Sequence, residues 1–121
     1  DNYQWLEFRR VLFRSILKGD NTAATTYLKN STYSALESAF APKIQSSLSE
    51  VGADKVWENI IDKYNQIPLV KPVEANLTKY VTEQAINGLF VKVGDKEKEI
   101  RTNIAARTTP LLKSVFAMQD K

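Results

Sequence analysis

Apolar side chains recur every three or four positions along almost the whole chain, which is the spacing of amphipathic helices. No segment alternates between apolar and polar residues for long enough to indicate a strand. The pattern therefore predicts an all-α fold, an irregular bundle of about five or six helices. We expect a short helix over 22–29, an interruption at 30–32 and a second helix over 33–51. A third helix is expected from 54 and stops before 68, and an extended connector follows over 69–75. A long helix is then expected from 77 through 101, and a last helix from 110.

Several residues predict where these helices bend, begin or end. Pro42 lies inside the second helical pattern, where it removes one backbone hydrogen bond and crowds the preceding turn, so we expect a kink or a break near Phe40. Gly52 is expected to end that helix in the left-handed conformation. Asn76 is expected to cap the long helix. Thr109 is expected to cap the last one, with Pro110 at its first position.

The long helix carries a wide apolar stripe, which we expect to face a core. Gly88 lies inside the stripe, where the missing side chain would allow another helix to approach closely; a helix that tolerates the glycine is the alternative. Tyr80 also lies on the stripe and is expected to be a core residue with a satisfied hydroxyl. The stripe consists of Leu77, Tyr80, Val81, Ala85, Leu89, Phe90 and Val93.

Composition narrows the possible chemistry. The 121 residues are 43% hydrophobic and 26% charged, and they include no cysteine and no histidine. This excludes thiol nucleophiles, imidazole bases and the commonest transition-metal ligands, so neither a metal nor a cofactor is predicted. The net charge of +3 comes from interspersed charges without a basic stripe, so nucleic acid is not an expected partner. No apolar run approaches the roughly 20 residues of a membrane span.

The first fifteen residues form a basic amphipathic pattern of the kind that lies on membranes or in acidic grooves. However, Leu6 to Ser15 reads as the translation of CTG GAG TTC AGA CGT GTG CTC TTC CGA TCT. That string resembles an adaptor widely used in short-read DNA sequencing. We therefore expect residues 1–15 to be a non-native segment, retained from a metagenomic read, and the native domain to occupy 16–121.

Four blocks after Ile16 carry a resemblance to a known family. They are ILKGD with AATTY at 16–27, YVTEQAINGLF at 80–90, EKEIR at 97–101, and AARTT running into LKSVF at 105–116. In order and spacing they resemble the C-terminal half of the bacterial domain-of-unknown-function 4197 family. The resemblance implies a helical domain of the periplasm or cell envelope, often preceded by a signal or lipoprotein leader, with no known activity, cofactor or partner.

The same resemblance implies that the N-terminal half of the domain is absent from this chain. If that half covers part of the apolar stripe, the fragment exposes apolar surface, and self-association is then expected.

The candidate site residues are Tyr80, Glu83, Arg101 and Arg107. The two arginines flank a short turn and could bind an anion jointly, although ties from these arginines to acidic side chains at helix ends are the favoured interpretation. For Glu83, and for Glu97 and Glu99, solvated surface charge is favoured over acid–base chemistry.

Two functions remain open from the sequence. The leading hypothesis is a non-enzymatic envelope protein that binds a protein or a lipid-like partner through a helical groove. The alternative is an enzyme with a Tyr80, Glu83 and Arg101 site, which requires those side chains to converge in one cleft.

Overall fold

The computed structural model describes residues 2–121 and confirms the all-α prediction, because no strand occurs among those residues. The chain divides into two compact units. The first contains residues 2–31 and 90–121, and the second contains 32–89. The helices are α1 (Asn2–Leu17), α2 (Ala23–Glu50), α3 (Ala53–Asn65), α4 (Leu77–Thr102) and α5 (Pro110–Gln119), with a 3₁₀ turn at Ile104–Ala106.

The interruption expected at 30–32 is wrong, because α2 runs without a break from Ala23 to Glu50. Ser31 does not start a new helix; its hydroxyl donates to the carbonyl of Tyr27 at 2.8 Å, within the same helix. Pro42 lies inside α2 and does not break it either. The helix therefore tolerates the loss of the one backbone hydrogen bond that proline cannot make.

The predicted helix ends at Gly52, Asn76 and Thr109 are confirmed. Gly52 has φ of 70° and separates α2 from α3. The side chain of Asn76 accepts a hydrogen bond from the Lys79 amide at 3.1 Å in the first turn of α4. Thr109 Oγ1 accepts from the Leu112 amide at 3.1 Å, and Pro110 follows at the first position of α5. These are the residue types whose chemistry fixes a helix end locally.

In the first unit, α4 packs against the start of α2 near Gly94, where an added Cβ would make only ordinary van der Waals contact. A Cβ added to Gly94 would lie 3.6 Å from the methyl groups of Thr22 and Thr25. The close approach considered for Gly88 is wrong, because no heavy atom would lie within 4 Å of a Cβ there. Leu17 and Phe90 are the buried apolar side chains of this unit among the described residues.

In the second unit, burial on α4 follows a different line from the predicted stripe. Thr82 and Ile86 are buried, one turn apart, whereas Ala85 and Leu89 are exposed. The apolar positions of this helix extend over more than one face, so their spacing alone could not select the buried one. Ile61 of α3 is also buried.

The connector between α3 and α4 is held by polar contacts to α3. The Asn65 amide donates to the carbonyl of Val73 and accepts from its N–H, both at 2.8 Å. Trp57 Nε1 donates to the carbonyl of Glu74 at 3.0 Å. Leu69, near the start of the connector, is fully exposed and has φ of 69°, a conformation that leucine rarely adopts.

Helix α1 is mostly exposed. Between residues 2 and 15 only Leu12 is half-buried, and burial begins at Ile16 and Leu17. The segment that resembles a translated adaptor is therefore helical but adds almost nothing to the core. The non-native origin of this segment remains a prediction.

Candidate functional site

Arg101 ties the end of α1 to α4 and α5. Its side chain is almost fully buried, with 5% of the residue exposed. Nη2 donates to the carbonyl of Ile16 and Nη1 to that of Leu17, both at 2.9 Å. Nη1 also donates to Gln119 Oε1 at 2.9 Å. Since the last carbonyls of a helix have no partner within it, Arg101 caps the C-terminus of α1.

Glu97 caps the N-terminus of α2. Its carboxylate accepts from the amides of Ala24 at 3.0 Å and Thr25 at 2.7 Å, and from the Thr25 hydroxyl at 2.6 Å. It also accepts from Arg101 Nε at 2.8 Å. A carboxylate placed on the free amides of a helix N-terminus is favoured by both hydrogen bonding and the helix dipole.

The surface-charge interpretation of Glu97 is therefore wrong, because the side chain is buried. Burial by itself raises the pKa of Glu97. The hydrogen bonds from Thr25, Ala24 and Arg101 act in the opposite direction and prevail, so the pKa is lowered and the carboxylate is ionised at neutral pH. Glu99, two positions on, is exposed and pairs with Lys96 at 3.5 Å.

Arg107 holds the end of α4 and the end of α5. Its Nε donates to the Ile100 carbonyl at 2.9 Å, and Nη2 to the Arg101 carbonyl at 3.2 Å. Two further bonds, of 2.7 and 3.3 Å, reach both carboxylate oxygens of Asp120. The bond from Arg107 is the main reason that the pKa of Asp120 is lowered. The guanidinium carbons of Arg101 and Arg107 lie 5.4 and 5.8 Å from the centre of the Phe116 ring.

These contacts define what we call the arginine cluster: Glu97, Arg101, Arg107, Phe116 and Asp120. Its guanidinium N–H groups are directed at helix carbonyls and carboxylates of the same unit. It brings Arg101 and Arg107 together, as the short turn between them suggested. The geometry suits the fixing of helix ends.

An apolar groove of about 320 Å³ lies beside the arginine cluster in the first unit. Leu28 stands at its edge with 46% of its surface exposed, and Lys96 supplies an exposed ammonium group. Such a volume lies at the lower end of the range for ligand pockets. The groove is lined by Ala24, Thr25, Leu28, Val93, Lys96, Glu97, Ile100, Leu112 and Phe116.

Tyr80 and Glu83 lie in the second unit. The Tyr80 ring stacks on Trp57, with centroids 5.7 Å apart and planes at 26°. The expectation that Tyr80 is a core residue is wrong, since 38% of it is exposed.

Glu83, three positions on from Tyr80 along α4, is half-buried. Burial, followed by the charges of Glu83 and Glu37, raises the pKa of Tyr33. Tyr33 of α2 is thus a tyrosine on which the charge of Glu83 acts. Sequence spacing could not indicate this pairing, because Tyr33 lies 50 positions before Glu83.

Two further features of the described residues bear on function. Between residues 2 and 121, no group of three or more acidic side chains is arranged to hold a metal ion. Over the same range, every helix is too short or too polar to cross a membrane.

Comparison with protein families gives a match over most of the chain. The family described as "Protein of unknown function (DUF4197)" matches residues 13–117, beginning within the segment that resembles an adaptor. No curated protein and no solved structure matches the chain.

Proposed function

The chain belongs to DUF4197, a family of proteins of unknown function, and we propose that it acts as a non-enzymatic binding protein. In this proposal the apolar groove of the first unit receives the apolar side chains of a partner protein. The observation that carries the proposal is the groove itself, which places a nearly continuous apolar lining beside helix ends that the arginine cluster holds in place. A site on fixed elements binds with little loss of conformational freedom.

The exposure of the groove favours a protein partner over a lipid-like one. A small-molecule site usually buries most of its ligand. Here Leu28 remains almost half exposed at the edge, which is typical of an open surface that a second surface covers. A helix that inserts apolar side chains at positions i, i+3, i+4 and i+7 is the common occupant of such grooves.

The charges beside the groove indicate the character of the partner. Lys96 is on its lining, and Lys92 lies one helical turn earlier on α4, with both side chains exposed. Glu99 compensates only part of this charge, through its exposed pair with Lys96. We therefore propose an amphipathic helix whose apolar residues are flanked by acidic ones.

The proposal is tested with two designed helical peptides. Both carry leucine at i, i+3, i+4 and i+7; the remaining exposed positions are glutamate in one peptide and lysine in the other. Binding to the whole chain is measured by fluorescence anisotropy. We expect the glutamate peptide to bind at least about tenfold more tightly than the lysine peptide, and Lys96→Glu to reduce that ratio.

A second experiment tests the groove by filling it with a larger side chain. Ala24→Leu places extra side-chain volume in the groove and should abolish peptide binding. Leu111→Ser is the matched control, because Leu111 is 73% exposed and lies outside the lining. Equal effects of the two variants, or displacement of a bound apolar dye by decanoate but not by either peptide, would overturn the proposal. The decanoate result would favour a lipid-like ligand.

We also propose that the protein acts in the periplasm or the cell envelope, which rests on the resemblance of residues 16–121 to an envelope family. Fractionation of bacterial cells that express the corresponding native gene tests this. Recovery of the protein with a periplasmic marker is expected, and recovery with a cytoplasmic marker contradicts it.

A further inference from the structure

The connector between α3 and α4 forms a loop with an apolar tip. The Asn65 side chain bonds to the carbonyl and to the N–H of Val73, both at 2.8 Å, and so closes the loop at its base. Within the loop Ile67, Pro68 and Leu69 are consecutive and exposed. We call these three residues the apolar tip. Compact surface loops whose ends are held together are frequently functional.

Leu69 is presented to solvent at an energetic cost. It is fully exposed, and its φ of 69° is a conformation that strains most side chains other than those of asparagine and aspartate. The Trp57 indole N–H donates to the Glu74 carbonyl at 3.0 Å, which holds the chain after the loop to α3. Backbone strain persists where surrounding contacts impose it, and it is concentrated at functional sites. Two unfavourable features, strain and an apolar side chain in water, therefore coincide at one residue.

The exposure of the apolar tip indicates what kind of partner it fits. The Leu69 side chain packs against nothing in its own unit, so it can enter a partner but does not form a groove that receives one. Insertion into the hydrocarbon of a bilayer is favoured in proportion to the apolar area removed from water. Tyr64, in the last turn of α3 before the loop, is 40% exposed. Tyrosine prefers the headgroup level of a membrane, where its ring is in apolar surroundings and its hydroxyl in water.

The charges on either side of the apolar tip are positive. Between residues 63 and 73 the charged residues are Lys63 and Lys71, both exposed. Asp62 precedes this stretch, and Glu74, which follows it, is half-buried and pairs with Lys79 at 3.3 Å. Lysines at this position attract the phosphate groups of anionic lipids. An apolar cavity in a protein would receive the tip equally well without them, so their placement favours an anionic bilayer.

We propose that the apolar tip inserts into the surface of an anionic phospholipid bilayer. In the bound state Lys63 and Lys71 lie against lipid phosphates, and the Tyr64 ring lies at the level of the headgroups. A single short loop buries little area, so the binding is weak and reversible. The site is independent of the apolar groove, which lies in the other unit.

The first measurement is co-sedimentation of the whole chain with phospholipid vesicles. One set of vesicles is made of phosphatidylcholine, and the other of phosphatidylcholine and phosphatidylglycerol in equal parts. We expect the anionic set to be bound at least about tenfold more tightly, because each lysine beside the surface contributes about fivefold. Lys63→Gln should weaken this binding about fivefold. Lys113→Gln, a matched change at an exposed position of α5, should leave it unchanged.

Leu69→Asn tests the apolar tip itself. Asparagine tolerates the left-handed conformation, so the fold is retained while the inserted apolar side chain is lost, and binding to the anionic vesicles should fall at least about tenfold. Leu111→Asn makes the same change at an exposed position of α5 and should leave binding unchanged. Thermal denaturation of both variants accompanies the binding measurement. Leu69→Asn should be at least as stable as the parent chain, which separates lost binding from lost folding.

Helix α1 is a second basic and apolar surface of this chain, so the point of insertion has to be located. NMR spectra of the ¹⁵N-labelled chain are recorded on anionic nanodiscs that contain a lipid with a spin label in its acyl chain. We expect the amide signals of Ile67, Leu69 and Val70 to broaden, and their intensity to recover in Leu69→Asn.

Three outcomes would overturn the proposal. They are the absence of binding to either set of vesicles, equal binding by Leu69→Asn and Leu111→Asn, and broadening confined to residues 2–17. The first outcome would leave the apolar tip to a protein partner. The third would assign membrane binding to α1.

Discussion

In the first unit, charged side chains from α4 and from the turn that follows it fix the ends of helices that are distant in sequence, whereas the hydrogen bonds that hold the connector of the second unit join residues 8 and 17 positions apart. Arg101 bonds to carbonyls 84 and 85 positions earlier in the chain. The corresponding elements of the second unit are the buried Ile61 and Ile86 and the stack of Trp57 on Tyr80. Each unit has two buried apolar side chains among the described residues, so the difference teaches that buried charged groups can fix helix ends that are distant in sequence where apolar burial is equally small.

That comparison predicts unequal sensitivity to the loss of a charge. Arg101→Ala leaves Glu97 buried without its cationic partner and removes the hydrogen bonds to the carbonyls of Ile16 and Leu17, so the free energy of unfolding should fall by about 3–5 kcal/mol. Urea denaturation followed by circular dichroism measures it. The control is Arg10→Ala, which breaks the exposed pair of Arg10 with Glu7 and should cost less than about 1 kcal/mol. Similar losses in the two variants would contradict the structural role of the cluster.

A large apolar truncation probes the second unit. Ile86 is fully buried, so Ile86→Ala should lower the free energy of unfolding by about 2–5 kcal/mol through lost burial and a cavity. Val56→Ala on α3 is the matched change at an exposed position and should be nearly neutral. Hydrogen exchange of amides in 32–89 localises the effect. A uniform loss of protection over both units would show that they unfold together.

Acid should weaken the first unit through Glu97. Because the folded-state pKa of Glu97 is lowered, its contribution is complete above its unfolded pKa, about 4.3, and disappears as the pH falls through the folded value. Glu97→Gln should cost about 1.5–3 kcal/mol at pH 7 and flatten the dependence between pH 5 and pH 3. Denaturation at stepwise pH measures both. An unchanged slope would assign the acid sensitivity to other carboxylates, with Asp120 the next to examine.

The smallest expected effect concerns Leu69, which holds a left-handed conformation without any packing. Leu69→Gly removes the steric cost of that conformation and should raise the free energy of unfolding by up to about 1 kcal/mol. Leu111→Gly, at an exposed helical position, should instead lower it by a similar amount. Thermal denaturation of both variants gives the sign, and a loss in Leu69→Gly would contradict the strain.

Helix caps between neighbouring residues could be predicted from the sequence, whereas contacts between residues far apart in the chain could not. The caps at Asn76 and Thr109 depend on residues within three positions, so their types were sufficient. The same reasoning divided α2 at 30–32, because asparagine, serine and threonine favour helix ends, whereas Ser31 bonds back to Tyr27 within the helix.

The candidate site divides in the same way. Arg101 and Arg107 could be selected because they flank a turn, and the spacing of Glu97 to Arg101 is that of a helical ion pair. Nothing in the sequence around Glu97 or around Thr25 indicates the hydrogen bonds between these residues, which are 72 positions apart.

Phe116 has a spectroscopic consequence. An aromatic ring shields protons held above its face, and the guanidinium groups of Arg101 and Arg107 both lie over this ring. Their Nε–H protons are also hydrogen-bonded, to Glu97 and to Ile100. The ring shields these protons and the hydrogen bonds deshield them, so two slowly exchanging arginine Nε–H resonances with shifts that depend on both contacts should appear in ¹⁵N spectra. Their intensity would then report the integrity of the first unit without any added label or ligand.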